Sequence, residues 1–184
     1  MNTDLTVIIP TLDAAALLPA SLAALQGERV LVVDGGSRDR SGAIAAALGA
    51  WVIATAGGRG AQLAAGVAKA DTPWVLLLHA DTRLEEGWRA AADAFMDEPD
   101  NAGRAGYFRF ALDSADPRAR RLERMVAWRC RVLDLPYGDQ GLLVARATLA
   151  SVGGIRALPL MEDVDLARRL RGRLSPLGPR AVTS

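Results

Sequence analysis

A single cysteine, Cys130, in 184 residues excludes an internal disulfide and any cysteine cluster for metal. A reducing, cytosolic setting is therefore the default. Charge of one sign is also scarce: 22 basic against 21 acidic residues leave +1, so the chain as a whole carries no electrostatic footprint for nucleic acid. The start lacks a basic segment followed by an apolar core of signal-peptide length, which argues against secretion. No apolar run approaches the roughly 20 residues that span a bilayer. Internal repeats and low-complexity linkers are absent too. What the chain has is 51% hydrophobic residues, enough for a sizeable core, at a length that fits one domain, 1–184, better than two. Its end follows a brief 181–183 apolar run without a closing helix, which fits a truncated or unusually short last part.

The apolar pattern alternates between two periods. Residues 5–9 are apolar and β-branched, Pro10 breaks the run, and 14–25 continue at helical spacing. The unit repeats, with strands predicted at 30–33, 51–55 and 74–78 and helices at 39–48 and 61–70. Such alternation predicts a mostly parallel sheet with helices on both faces. Further on, the pattern gives a helix over 85–96, a less clean strand over 106–112, an Arg-rich helix over 117–133 opened by Pro117, a short strand at 142–145 and a helix over 164–170.

In an open parallel sheet, ligands collect beyond the carboxyl ends of the strands. The polar residues just after each predicted strand are Thr11 and Asp13, Asp34 and Ser37, Arg59, and His79 and Asp81. Asp34-Gly35-Gly36-Ser37 reads either as a turn with Ser37 capping the next helix, or as a nucleoside contact whose glycines admit a ligand to the backbone. Asp81 either caps the helix expected near residue 85 or holds Mg²⁺ or Mn²⁺ jointly with phosphate oxygens, since such ions need only one or two protein carboxylates. His79 is equally a structural residue or a ligand. Glu162-Asp163-Val164-Asp165 is either an acidic helix start or the source of a general base, already ionised at neutral pH. The loop 137–141, with Asp139 and Gln140, suits substrate contact or a plain turn. Arg118, Arg120, Arg121, Arg124, Arg129 and Arg131 surround an apolar stripe of Leu122, Met125, Val126 and Leu133. They form a solvated basic face or a surface for anionic lipid headgroups or a phosphorylated acceptor.

The ordered set Val7-Ile8-Ile9-Pro10-Thr11-Leu12-Asp13, Val33-Asp34-Gly35-Gly36-Ser37 and Leu78-His79-Ala80-Asp81-Thr82 resembles family 2 glycosyltransferases. Gly58-Arg59-Gly60-Ala61-Gln62, Gly138-Asp139-Gln140-Gly141 and Glu162-Asp163-Val164-Asp165 further resemble a subgroup of short bacterial radical SAM/selenodomain-associated transferases. The resemblance covers about residues 5–170. It implies a GT-A fold, a Rossmann-like three-layer α/β/α architecture with a mostly parallel sheet. It also implies an inverting glycosyl transfer from a nucleotide-diphosphate sugar to an acceptor hydroxyl, with a lipid-linked acceptor as one option. On it, Pro10, Thr11, Asp13, Asp34, Ser37, Arg59 and Gln62 belong to the donor nucleotide site, and Asp81 with His79 to a divalent metal (Mg²⁺ or Mn²⁺). Asp163 is the base, with Glu162 second, and Asp139 and Gln140 line the acceptor or substrate loop. The chain departs from the family in having His79-Ala80-Asp81 where Asp-X-Asp is usual.

Three rivals stand beside this reading. Gly58-Arg59-Gly60 after a strand, with Asp81 about 20 residues on, imitates a dinucleotide fingerprint, but the third glycine position holds Leu63. A sugar nucleotidyltransferase would need a glycine-rich basic loop where Pro10-Thr11-Leu12-Asp13 stands. A non-catalytic nucleotide-sugar binding protein is the rival outside enzymology, motivated by the reduced metal motif.

Overall fold

The computed structural model describes residues 4–158 and 160–184. In chain order the elements are β1 (Leu5–Thr11), α1 (Leu18–Ala23), β2 (Val30–Asp34), α2 (Ser41–Ala47), β3 (Trp51–Ala54), α3 (Arg59–Lys69), β4 (Trp74–Leu77) and β5 (Thr82–Leu84). There follow α4 (Trp88–Asp97), β6 (Ala105–Leu112), α5 (Pro117–Leu133), β7 (Leu142–Ala145), α6 (Arg146–Ser151), α7 (Glu162–Arg169) and β8 (Leu174–Thr183). The strands form one sheet in the order β3-β2-β1-β4-β7-β6-β8-β5.

Every residue of β1 is buried, as expected of a strand covered on both faces. Successive side chains go to opposite faces. Val7, Ile9, Val32, Leu76 and Leu78 meet Leu18, Leu22, Trp88 and Phe95 from α1 and α4 on one side. Ile8, Leu31, Val33, Val75 and Leu77 meet Leu63, Val126 and Leu166 from α3, α5 and α7 on the other. The three-layer α/β/α expectation is met. Gly66 makes the close seating of α3 possible, because a Cβ there would collide with Ile8 Cγ2 and Val33 Cγ2. That glycine lies in the middle of the helix, not at Leu63, which is itself buried in the core.

The parallel pairs are β1–β2, β1–β4, β2–β3 and β6–β8; β4–β7, β6–β7 and β5–β8 are antiparallel. Several elements differ from the sequence reading: β1 continues through Pro10 to Thr11, α1 and α7 begin at Leu18 and Glu162 rather than at 14 and 164, and α6 was not expected. The helix expected from residue 85 begins at Trp88, after Gly87 in the left-handed region (φ 85°), because Thr82–Leu84 are drawn into the sheet by pairing with residues 181–183. The 181–183 run is the end of the ten-residue β8. Pro176 and Pro179 disguise it. Its pairing with β6 shifts between Tyr107↔Pro176 and Arg109↔Arg180, two residues on β6 against four on β8, and the extra length takes up the prolines.

α5 has the bounds predicted, with Asp116 accepting the Arg118 N–H (2.7 Å) at its N-cap and Pro117 in its first turn. The expected apolar stripe is corrected: Ala119, Val126 and Cys130 face the core, while Leu122, Met125 and Leu133 are exposed.

Candidate active site

Parallel pairing sets the carboxyl ends of β1 and β2 side by side, with Thr11 opposite Asp34 and Pro10 opposite Val33. β4 joins them through the Leu78 N–H to Ile8 O hydrogen bond (3.0 Å), which brings His79 to the same edge. The loops after these strands lock together. Asp34 Oδ1 accepts from Gly36 N (3.2 Å), Ser37 N (2.9 Å) and Ser37 Oγ (2.6 Å). Asp13, in the left-handed region at φ 49°, donates its N–H to Ser37 Oγ (3.0 Å) and accepts from Arg38 N at Oδ1 (2.7 Å). Ser37 does not cap the following helix, whose N-cap is Arg40. Among the described residues Asp34 Oδ2 accepts no hydrogen bond, so one oxygen builds the turn and the other is uncommitted.

Gln62 holds this edge from beneath. Its buried amide donates to Thr11 O (2.7 Å) and Val33 O (2.8 Å), clamping the ends of two strands. Gly35 leaves it room, since a Cβ there would stand 2.8 Å from Gln62 Nε2. Both amide hydrogens are thus spent on backbone, which leaves Gln62 no free N–H to offer a ligand.

One turn earlier on α3, Arg59 faces the acidic start of α7. Its Nε donates to Glu162 Oε1, and its Nη2 lies 3.8 Å from Asp163 Oδ1. Glu162 is 2% exposed and Arg59 37%, so Arg59 screens a buried carboxylate while part of its guanidinium reaches solvent. Removing one partner of such a pair strands a charge. Arg59→Ala is expected to destabilise the fold by about 2 kcal/mol, at the low end because Arg59 is partly solvated. Urea unfolding of Arg59→Ala, Glu162→Gln and the double variant checks this, the double recovering part of the loss. Met161, just before the pair, sits in the left-handed region at φ 64°, an uncommon conformation for a bulky residue and one that clusters at functional sites.

Asp163 is fixed by backbone: Oδ2 accepts from Gly138 N (2.8 Å) and Oδ1 from Val164 N (2.8 Å). Gly138 is squeezed between two site residues, for a Cβ on it would lie 2.5 Å from His79 Nε2 and 3.2 Å from Asp163 Oδ2. His79, Tyr137, Gly138, Glu162 and Asp163 thus line one cleft with an apolar floor that includes Leu63 and Leu142. Burial pushes the His79 imidazole below its ordinary 6.5 and Arg59 adds to this, against the pull of Asp81, Asp163 and Glu162. The stability tied to neutral His79 is present above pH 6.5 and lost as pH falls through the lowered folded value. As the only histidine, it gives a single ring-proton NMR titration, expected in metal-free protein to have its midpoint below 6.5.

Asp81 caps no helix, since α4 starts only after Gly87. Its Oδ1 receives a long hydrogen bond from Thr82 Oγ1 (3.3 Å), and its main-chain oxygen accepts from Ser184 Oγ (3.2 Å). Among the described residues no three His, Cys, Asp or Glu side chains converge as a ready-made metal cage, so His79 and Asp81 do not form one by themselves.

The loop 137–141 divides its two polar residues. Gln140 is structural: Nε2 donates to Phe108 O (3.0 Å), while Oε1 accepts from Tyr137 N (3.2 Å) and Cys130 Sγ (3.2 Å). Asp139 is different. Its Oδ1 is buried with no hydrogen-bond partner among the described residues, and burial raises its carboxyl above the usual range, opposed by Arg129 and reinforced by Asp163 and Asp81. Arg129 stacks over the Tyr137 ring (3.4 Å to the centroid) and donates to Leu135 O (2.9 Å), pinning the loop to α5. Nothing in the sequence distinguished Arg129 from the other arginines of that helix, or showed that the Gly138 N–H holds Asp163.

The glycosyl transferase family 2 model matches residues 6–150. A Mycobacterium tuberculosis protein named as an uncharacterized glycosyltransferase is 42% identical over 84 residues, 45% of this chain and 38% of the relative, and a Mycobacterium bovis protein matches equally. The chain thus spans well under half the length of these relatives in the matched region. Solved structures share the fold at low identity. S. aureus TarS in complex with UDP-GlcNAc superposes with a TM-score of 0.72 at 19% identity, over 98% of this chain and 58% of that one. Glucosyl-3-phosphoglycerate synthase from M. tuberculosis, with Mn²⁺, UDP and glucosyl-3-phosphoglycerate, gives 0.70 at 16%, over 100% and 72%. The GT-A architecture, the strand-end motifs in their expected order and a family match across most of the residues lead to one assignment: the chain belongs to glycosyl transferase family 2.

Proposed function

We propose that the chain transfers a glycosyl group from a nucleoside diphosphate sugar to an acceptor hydroxyl, with inversion, and that residues 1–184 act as one catalytic domain. The observation that carries this reading is the Asp163 carboxylate, held in the cleft by the Gly138 N–H (2.8 Å) beside His79 and Arg59. Each carboxylate oxygen has a second lone pair, so Asp163 can take an acceptor proton while keeping its backbone bonds. The acceptor oxygen attacks the anomeric carbon, its proton passes to Asp163, and the bond to the diphosphate breaks with its electron pair leaving on the phosphate oxygen.

On the donor side, Asp34 Oδ2 is the nucleoside acceptor, and Thr11 with Pro10, Asp13 and Ser37 forms the wall. The solvent-reaching part of Arg59 meets the diphosphate. The solved relatives carrying UDP-GlcNAc, or UDP with Mn²⁺, support a nucleotide of this type. The residues fit a divalent cation shared with the donor: Asp81 has a loosely engaged carboxylate, and hard cations need only one or two protein carboxylates beside phosphate oxygens. Bound there by Asp81, with His79 alongside, Mg²⁺ or Mn²⁺ would offset the charge gathering on the leaving diphosphate. Asp139, with its unpaired buried oxygen, is the acceptor-side contact. Cys130 is free and buried, which suits a reducing, cytoplasmic setting.

His79-Ala80-Asp81, with one carboxylate where Asp-X-Asp is usual, keeps the non-catalytic binder as a second reading. Release of nucleoside diphosphate from UDP-, GDP- or dTDP-sugars, with Mn²⁺ and simple hydroxyl acceptors or water, separates the two. Turnover supports transfer, whereas tight binding with no release from any donor favours the binder.

A further inference from the structure

We propose that the outward face of α5 docks on an anionic lipid bilayer. The face is apolar at its centre: Met125 is 59% exposed, Trp128 52% and Val132 51%, spaced three and four residues apart on one side of the helix. Exposed Leu122 and Leu133 extend it. Arg118, Arg121, Arg124 and Arg131 flank this strip. Among the described residues, Arg118, Arg121 and Arg131 make no side-chain ion pair or hydrogen bond, and Arg124 bonds only the Arg120 carbonyl (3.3 Å). The helix's only acidic residue, Glu123, is turned away, taking the Leu112 N–H (2.9 Å) and Arg120 Nη1 (2.5 Å) on Oε1. An apolar strip with an interfacial tryptophan, bordered by guanidiniums that outnumber the carboxylates Asp113 and Asp116 beside Arg118 at the start of the helix, matches an interface helix lying in anionic headgroups. A second copy fits poorly, because a two-fold contact would oppose the same arginines to one another. No described helix is long and apolar enough to cross a membrane, so the contact is peripheral.

The geometry ties this surface to the cleft. Arg129, on the same helix, holds Leu135 O and stacks on Tyr137 in the loop that supplies Gly138 and Asp139. A bilayer against α5 therefore sits one loop away from the acceptor side, which suits an acceptor anchored in lipid.

The test is co-sedimentation with phosphatidylcholine vesicles, with and without phosphatidylglycerol, in the absence of donor and acceptor, so that its result is independent of the transfer reading. The chain is expected to sediment with the anionic vesicles at low salt, to release as salt rises, and to remain in solution with phosphatidylcholine alone. Met125→Glu/Trp128→Glu and Arg118→Glu/Arg121→Glu should each lower binding at least about tenfold with unchanged melting temperature, whereas Trp51→Ala, at the β3 edge, should bind as the parent does. No sedimentation at low salt overturns the proposal. So does undiminished binding by both double variants, or light scattering that shows a dimer which Met125→Glu/Trp128→Glu dissociates.

Discussion

Asp163→Asn is expected to lower the rate of nucleoside diphosphate release by about 10²–10⁴-fold, the span usual for a positioned general base, while nucleotide binding persists. The substitution is nearly isosteric, and the amide oxygen can still accept the Gly138 N–H, so the loop 137–141 keeps its place. What is lost is the proton-accepting charge. Glu162→Gln should behave differently. Glu162 is almost wholly buried and spent on Arg59, so its neutral form loosens Arg59 and weakens diphosphate contact more than it slows the chemical step. If Asp163→Asn turned over normally and Glu162→Gln did not, the two acids would have to exchange roles.

The second large effect is expected at Asp81. Asp81→Asn keeps the size of the side chain and removes the charge a cation would need, so Mn²⁺ should no longer strengthen nucleoside diphosphate binding. At ligand about 100-fold above its Kd, binding stabilises a protein by about 2.7 kcal/mol. That is roughly 5–10 °C in melting temperature for a domain of this size, and Asp81→Asn should forfeit the Mn²⁺-dependent part. Metal-dependent turnover should fall with it. A variant that kept the full Mn²⁺ response would move the cation elsewhere.

The parts of the fold carried by local pattern were legible. The buried strands β1, β2 and β4 declare themselves through short runs of apolar and β-branched residues, and α5 through Pro117 and the Arg-rich helical pattern that follows it. β8 was not legible beyond its last residues, since Pro176 and Pro179 read as loop until β6 shows where the extra residues go. β5 was hidden because Thr82–Leu84 become a strand only by pairing with that distant segment. The site divides in the same way. Strand-end position pointed to Thr11, Asp34, Arg59, His79 and Asp81 without any tertiary information. Position could not tell that Gln62 and Gln140 spend their amides on backbone, whereas Asp139 keeps a buried oxygen unpaired. Those facts depend on residues 29 to 51 positions away. Nor could helical spacing say which apolar side of α5 faces the core, since Val126 and Met125 are neighbours in sequence and opposite in burial.

The most direct measurement is the melting temperature of the purified chain with UDP, GDP, dTDP and NAD, each with and without Mn²⁺. A rise with one nucleoside diphosphate that grows when Mn²⁺ is added, and that Asp81→Asn abolishes, is the predicted result. A rise with NAD alone, or with none of the four under either condition, would contradict the proposed donor site.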